Sequence, residues 1–290
     1  MALNSVNTNV GAMIALQNLS VTNSQLSTVQ NRINTGKIVS SAKDNGAIYA
    51  IAQGQRAEIG ALNAVKDSLN RGQSALDVAL SAGESVADLL SQLKEKALAA
   101  TDKSLTTSAR SALNEDFKAI RDQIATVVSN AKFNGVNLLD NSTGTNGYKA
   151  LANTTGSTIK AAGENLSLGG ANVTVAATTT IGTSTLATTA LGLVNASIDN
   201  VSASLARLGT GSKSFGTHLT FVGKLQDTIE AGVGNMVDAD LAKESARLQS
   251  LQTKQQLGVQ ALSIANGAPK VLLGLFREPE AEASALPSAG

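Results

Sequence analysis

Leu191-Gly192-Leu193-Val194-Asn195-Ala196-Ser197-Ile198 opens a stretch that runs to Met236 and reads in sevens. Val194, Val201, Leu208, Phe215, Val222, Ile229 and Met236 fill one heptad position without interruption. Leu191, Ile198, Leu205, Leu219 and Val233 take a companion position three residues earlier, which lapses to Ser212 and Gln226. Apolar residues spaced alternately by three and four describe one face of a continuous helix and fit neither a strand nor a loop. At 1.5 Å per residue that helix is about 65–70 Å long, so it needs partners of similar length.

The first partner lies between residues 62 and 100. Leu62, Leu69, Leu76, Gly83, Leu90 and Ala97 form one row, and Val65, Gly72, Ala79, Val86, Leu93 and Ala100 form the other. A seam glycine costs up to ~1 kcal/mol of helix propensity, so Gly72 and Gly83 are expected where a neighbouring helix approaches closely or the helix bends. After a linker at 101–107, Leu113, Phe117, Ile120, Ile124, Val127 and Ala131 continue the spacing, with Lys118 and Asp122 placed for an outer-face pair. The expected bundle core is Leu62, Leu69, Leu76, Leu90, Leu93, Val201, Leu208, Phe215, Val222 and Ile229.

Both ends of the chain carry poorer seams. Ala12, Leu19, Leu26 and Ile33 recur in sevens with Ala15, Thr22 and Val29 between them, and Gly36 is expected to cap that helix. Leu241, Leu248, Leu251, Leu262, Ala265, Leu272 and Phe276 make a last seam, interrupted by Gln255 and Gly258. Between the long helices, residues 134–186 are rich in Gly, Thr, Asn and Ser. Short alternations there (Leu166 and Leu168, Val173 and Val175) read as strands joined by turns, in an insert too small for a large core of its own. The expected fold is mainly α: a long antiparallel coiled-coil bundle formed by the N- and C-terminal halves, with a small β-rich insert. Its segments are 1–40, 41–133, 134–186, 187–237, 238–277 and a disordered tail or tag at 278–290.

Composition removes several function classes. With 23 basic and 22 acidic residues the net charge is +1, which argues against nucleic acid or an anionic membrane as the main partner. No apolar run is long enough to span a bilayer. The N-terminus lacks the basic and apolar regions of a secretory signal peptide. There is no cysteine, and His218, the one histidine, stands beside seam residue Leu219 as a flanking polar position. No nucleophile elbow, phosphate loop or metalloprotease motif occurs. Asp238, Asp240 and Glu244 read as acids at a helix N-terminus and not as a metal site. No catalytic residue, metal or cofactor is expected.

The remaining signal is assembly. Neither terminal helix is apolar enough to stand alone, and pairing them leaves an outer face partly apolar. They are expected to order only among copies from neighbouring subunits, with Ala12, Leu19, Leu26, Ile33, Leu241, Leu248, Leu251, Leu262, Leu272 and Phe276 as assembly residues. A plain helical hairpin with frayed ends is the simpler alternative.

The residues also resemble a known family. Met1-Ala2-Leu3-Asn4-Ser5-Val6-Asn7-Thr8-Asn9, Arg32-Ile33-Asn34-Thr35-Gly36 and Ser41-Ala42-Lys43-Asp44-Asn45 are similar to the N-terminal region of bacterial flagellin, in its short alphaproteobacterial form. Asn130-Ala131-Lys132-Phe133-Asn134-Gly135 is similar to the junction before the variable region. Asp238-Ala239-Asp240-Leu241-Ala242 and Leu262-Ser263-Ile264-Ala265-Asn266 are similar to the C-terminal signature. The resemblance covers roughly residues 1–135 and 190–277.

It implies an open helical homopolymer, the flagellar filament outside the cell, with residues 1–40 and 238–277 in the inner tube and the long helices around it. It further implies type III export without a cleaved signal, an export chaperone on the C-terminal segment, a cap complex and hook-junction proteins as partners. A hook–filament junction protein, or a coiled-coil adhesin or secretion tip protein, is the alternative. Where relatives recognised by the innate immune receptor TLR5 carry Gln-Arg-Val-Arg-Glu-Leu-Ala, this chain has Ser91-Gln92-Leu93-Lys94-Glu95-Lys96-Ala97, so weak recognition is expected. Family members usually end near Phe276-Arg277, which leaves Glu278 to Gly290 as an addition.

Overall fold

The computed structural model describes residues 8–143 and 146–275, with side chains placed as far as residue 267. Among these residues the elements are α1 (Val10–Thr35), α2 (Gly46–Ala100), α3 (Thr107–Asn130), β1 (Lys132–Phe133), β2 (Val136–Asn137), β3 (Tyr148–Leu151), β4 (Thr158–Ala161), α4 (Ser184–Val237) and α5 (Leu241–Leu275). The fold is mainly α with a small β insert, as the heptad counting requires. Two compact units result, residues 54–231 and residues 1–53 with 232–290, the division falling within α2 and within α4.

In the 54–231 unit both heptad rows of α2 are buried from Leu62 to Ala100. The two seam glycines prove to be holes for side chains. A Cβ at Gly72 would overlap the Phe215 ring, and one at Gly83 would stand 2.6 Å from Leu205 Cδ2. Every expected core residue is buried except Ile229, which is half-buried and packs against the cluster.

Two rows lie one residue from where the apolar pattern puts them. In α3 the buried positions are Asn114, Phe117, Arg121, Ile124 and Val128, followed by Ala131, whereas Leu113, Ile120 and Val127 flank them half-buried. In α4 the buried companion positions are Ala190, Ser197 and Ser204, continued by half-buried Gly211, with Leu191, Ile198 and Leu205 half-buried beside them. The cause is the insert, which needs polar anchors and close approach where an apolar row would offer neither. Asn114 Oδ1 accepts from Ile181 N at 2.8 Å, and Arg121 Nη1 donates to the Thr179 carbonyl at 2.8 Å. Ser197 Oγ accepts from Thr174 N at 2.9 Å, and a Cβ at Gly211 would lie 3.2 Å from Ala161 Cβ. The Lys118–Asp122 pair does not form. Lys118 Nζ binds Glu115 at 2.9 Å, and Asp122 is taken by Arg121 Nε at 2.8 Å.

Among its described residues the insert has no separate core. Ala150, Ala161, Leu166, Val173, Val175 and Ile181 are buried in the same cluster as the helices. Asn134 and Gly135, at φ 47° and 80°, make the tight turn between β1 and β2, the left-handed geometry that Asn-Gly favours. The second hairpin pairs β3 with β4, Tyr148 opposite Ala161. The alternations around Leu166 and Val173 are not regular strands but share one bridge, between Leu168 and Val173. Glu164, almost wholly buried, receives Arg207 Nε at 2.7 Å and Nη2 at 2.6 Å. That fork holds the Arg207 guanidinium still more firmly protonated than usual.

In the other unit Asn9 caps α1, its Oδ1 accepting from Ala12 N at 2.9 Å, and Gly36 ends it at φ 67°. The two connectors are tied by backbone bonds: Ile38 N donates to the Val237 carbonyl at 2.7 Å and Ala239 N to that of Gly36 at 2.8 Å. Asp44 Oδ2 gathers the hydroxyls and amides of Ser40 and Ser41. The Ser40 hydroxyl and the Ser41 and Ser40 amides hold its carboxyl below the usual aspartate range. Asp240 caps α5, accepting from Ala242 N and Lys243 N.

Gly72→Val forces the Phe215 ring out of its seat and should destabilise the bundle by about 1–3 kcal/mol, the usual range for overpacking. Gly216→Ala, where a Cβ meets nothing within 4 Å, should leave the midpoint unchanged or raise it. Thermal melting followed by circular dichroism compares the two. A Gly72→Val midpoint equal to that of Gly216→Ala contradicts the side-chain seat.

Candidate assembly surface

α1 and α5 run antiparallel, with contacts from Asn9–Ala265 at one end to Arg32–Glu244 at the other. Ala12, Leu19, Leu26 and Ile33 face this pairing half-buried, and Val29 is fully buried there. On α5 Leu251 is buried, while Leu248 and Leu262 are half-buried. Leu241 differs, being 49% exposed in the first turn of the helix. The Leu272 side chain and Phe276 lie outside the described residues, as do 278–290.

A second apolar series was not picked out by the heptad count. Val10, Met13, Ile14 and Val21 lie three, four and seven residues apart on another side of α1 and are all more than half exposed, Met13 at 63%. With Leu16 they line an open groove of about 740 Å³. On α5 Leu257, Val259 and Ile264 are likewise exposed, Ile264 at 76%. Counting in sevens finds the row that satisfies one partner. The signal for the other was a second i, i+3, i+4 series in the same helix. So many large apolar side chains on two neighbouring helices are characteristic of a surface that meets another protein.

His218 Nε2 lies 2.7 Å from the Ala152 carbonyl oxygen, with its ring 5.9 Å from that of Phe221, so the histidine joins α4 to the insert. Among the described residues no group of acids and histidine is arranged to hold a metal ion, and no helix is long and apolar enough to cross a membrane.

Comparison with known proteins gives the surface its context. The family model of the bacterial flagellin N-terminal helical region matches residues 6–144, and that of the C-terminal helical region matches 191–276. The chain belongs to the bacterial flagellin family. Flagellin FljM of Caulobacter vibrioides is 58% identical over 277 residues, covering 96% of this chain and 100% of FljM. A flagellin of Brucella melitensis is 36% identical over 283 residues, covering 94% and 99%. The solved flagellin of Bacillus cereus aligns with a TM-score of 0.41 at 16% identity, over 59% of this chain and 93% of that one.

This flagellin is a short alphaproteobacterial one and a structural subunit of the flagellar filament, an extracellular appendage that serves motility. The junction-protein and adhesin readings are not favoured. The family-model gap, 145–190, takes in most of the insert, and both matched regions carry the long helices.

Proposed function

We propose that this flagellin polymerises by burying the outer stripes of α1 and α5 between neighbouring copies, and that the α1–α5 seam is completed in the same step. The observation that carries the reading is the exposed series Val10, Met13, Ile14 and Val21 on a helix whose other face is already used. Burying such a side chain fully contributes about 1.5–3 kcal/mol, so a few of them per subunit suffice to drive association. The contacts are heterologous and propagate as an open helix.

On this reading residues 1–40 and 238–277 form the inner layer of the filament. Residues 41–133 and 187–237 form the layer around it, and the insert at 134–186 faces outward. Ala12, Leu19, Leu26, Ile33, Leu248, Leu251 and Leu262 close the pair, whereas the exposed Leu241 joins the outer stripe. Leu272 and Phe276 extend the α5 contribution. The role is structural and not catalytic. Export follows the type III route, with a chaperone engaging the C-terminal segment, a cap guiding addition and hook-junction proteins at the base.

Replacing Met13, Ile14 and Val21 together by Gln should abolish filaments in electron micrographs of concentrated protein while leaving the melting of the 54–231 bundle unchanged. Normal filaments from that variant would refute the proposed contact.

Recognition by TLR5 is expected to be weak. Gln92 stands where responsive flagellins have an arginine, and Lys96 is engaged by Asp116 at 2.8 Å. A reporter-cell assay should give a response far below that of a flagellin carrying the full motif. A comparable response would contradict the expectation.

A further inference from the structure

The apolar seam between α1 and α5 does not define its own alignment. α1 offers Ala12, Ala15 and Thr22 among its seam positions, and α5 offers Gln255 and Gly258. Because the leucines of α1 repeat in sevens, sliding one helix by a heptad, about 10 Å, exchanges Leu19 for Leu26 with little change in apolar contact. Something else must choose between the alignments.

Three polar contacts do so, and they occur in antiparallel order. Asn9 Nδ2 donates to the Ala265 carbonyl at 2.6 Å, Gln255 Nε2 to Asn23 Oδ1 at 2.8 Å, and Arg32 Nη1 to Glu244 Oε1 at 3.1 Å. The last is the demanding one. Glu244 stands in the seam series with Leu248, Leu251, Gln255 and Gly258, and it is 7% exposed. Its Oε2 is buried with no hydrogen-bond partner in the described structure, so the carboxylate loses hydration that the contact only partly replaces. Arg32 is the sole charged residue in α1. A slip of seven residues toward the start of α1 sets Glu244 opposite Gln25, and the opposite slip carries it past the end of the helix at Thr35. The first alignment offers it no cation, and the second takes it off the helix and away from Arg32, with Lys37 the nearest cation in sequence.

We propose that the Arg32–Glu244 pair is a register key, kept for alignment and not for stability, with Asn23–Gln255 and Asn9–Ala265 as secondary contacts. A buried polar position in an otherwise apolar seam penalises every register but one and costs stability in doing so. The backbone bonds at Gly36 and Val237 hold the base of the pair, and the key carries that alignment into the helices. Register matters because it sets which part of the α1 stripe stands beside which part of the α5 stripe. Arg32 and Glu244 are positioning residues: they determine the composite face that a neighbouring molecule meets.

The absence of cysteine makes the register readable by cross-linking in the full chain. A Cβ at Gly11 lies 3.9 Å from Ala265 Cβ, within the roughly 3.5–4.5 Å that a disulfide spans. Gly11→Cys with Ala265→Cys therefore reports the aligned pair, and Gly11→Cys with Gly258→Cys the pair slipped by seven. Oxidation is carried out on soluble and sedimented protein, with isotope-labelled and unlabelled chains mixed so that intrachain bonds are counted alone.

In the parent background the aligned bond should exceed the slipped one by about tenfold or more, the preference expected when slipping strands a buried charge. In the Arg32→Leu, Glu244→Leu background helicity and melting should hold, as apolar replacement of a buried ion pair is commonly neutral or stabilising, while the ratio falls to within about threefold. Arg32→Lys keeps a cation opposite Glu244 and should keep the parent ratio. A double-leucine protein with the parent ratio would overturn the key and assign register to the backbone bonds at the base. Equal aligned and slipped yields in the parent, in both fractions, would overturn it as well.

Discussion

Phe215 seated over Gly72 and Leu205 over Gly83 fix α4 against α2. α2 accepts them because two positions in its otherwise leucine-rich rows carry no side chain. With Phe and Tyr as its few aromatic residues and no Trp, the chain builds its interior from narrow aliphatic rows in place of a thick core. The seam glycines lower helix propensity, yet they let α4 seat its bulkiest core residue at full burial. Given that seat, the insert has a surface to settle on, and its own hydrophobic residues become part of the bundle.

The terminal helices obey the opposite rule. Their mutual seam contains Ala, Thr, Gln and Gly where the bundle has Leu and Val, while their outer sides carry Met, Ile, Leu and Val exposed. A pair of this kind is marginal in water, because the apolar area it hides barely offsets the backbone entropy of ordering two helices. The uncovered stripes make the balance depend on concentration and on neighbours. On the proposed function a subunit folds its bundle first and finishes its ends when it joins the polymer.

Much of this was legible in the sequence. The heptad rows of α2 and the Val194–Val222 row of α4 gave helix, length and core together, because apolar side chains at a strict spacing have only one helical explanation. Two kinds of position were not legible. Asn114, Arg121 and Ser197 are buried polar residues that bond an insert distant in sequence, and buried Ser204 bonds its own helix at Asn200 and receives Arg207, which in turn holds Glu164 of the insert. A hydropathy pattern assigns such residues outward by default. Met13, Ile14 and Val21 were hidden for another reason: once one apolar row has been assigned to a partner, the second reads as scatter. Glu244, in the first turn of α5, has the sequence position of a helix-end acid, yet its carboxylate lies inside the seam against Arg32.

On the proposed function the bundle folds alone and the terminal helices order only in the polymer. Amide hydrogen exchange, compared between dilute monomer and filament, tests it most directly. Residues 62–100 and 190–229 should exchange slowly in both states, and residues 10–35 and 241–265 quickly in the monomer and slowly in the filament. Strong protection of both terminal helices in the dilute monomer would contradict it.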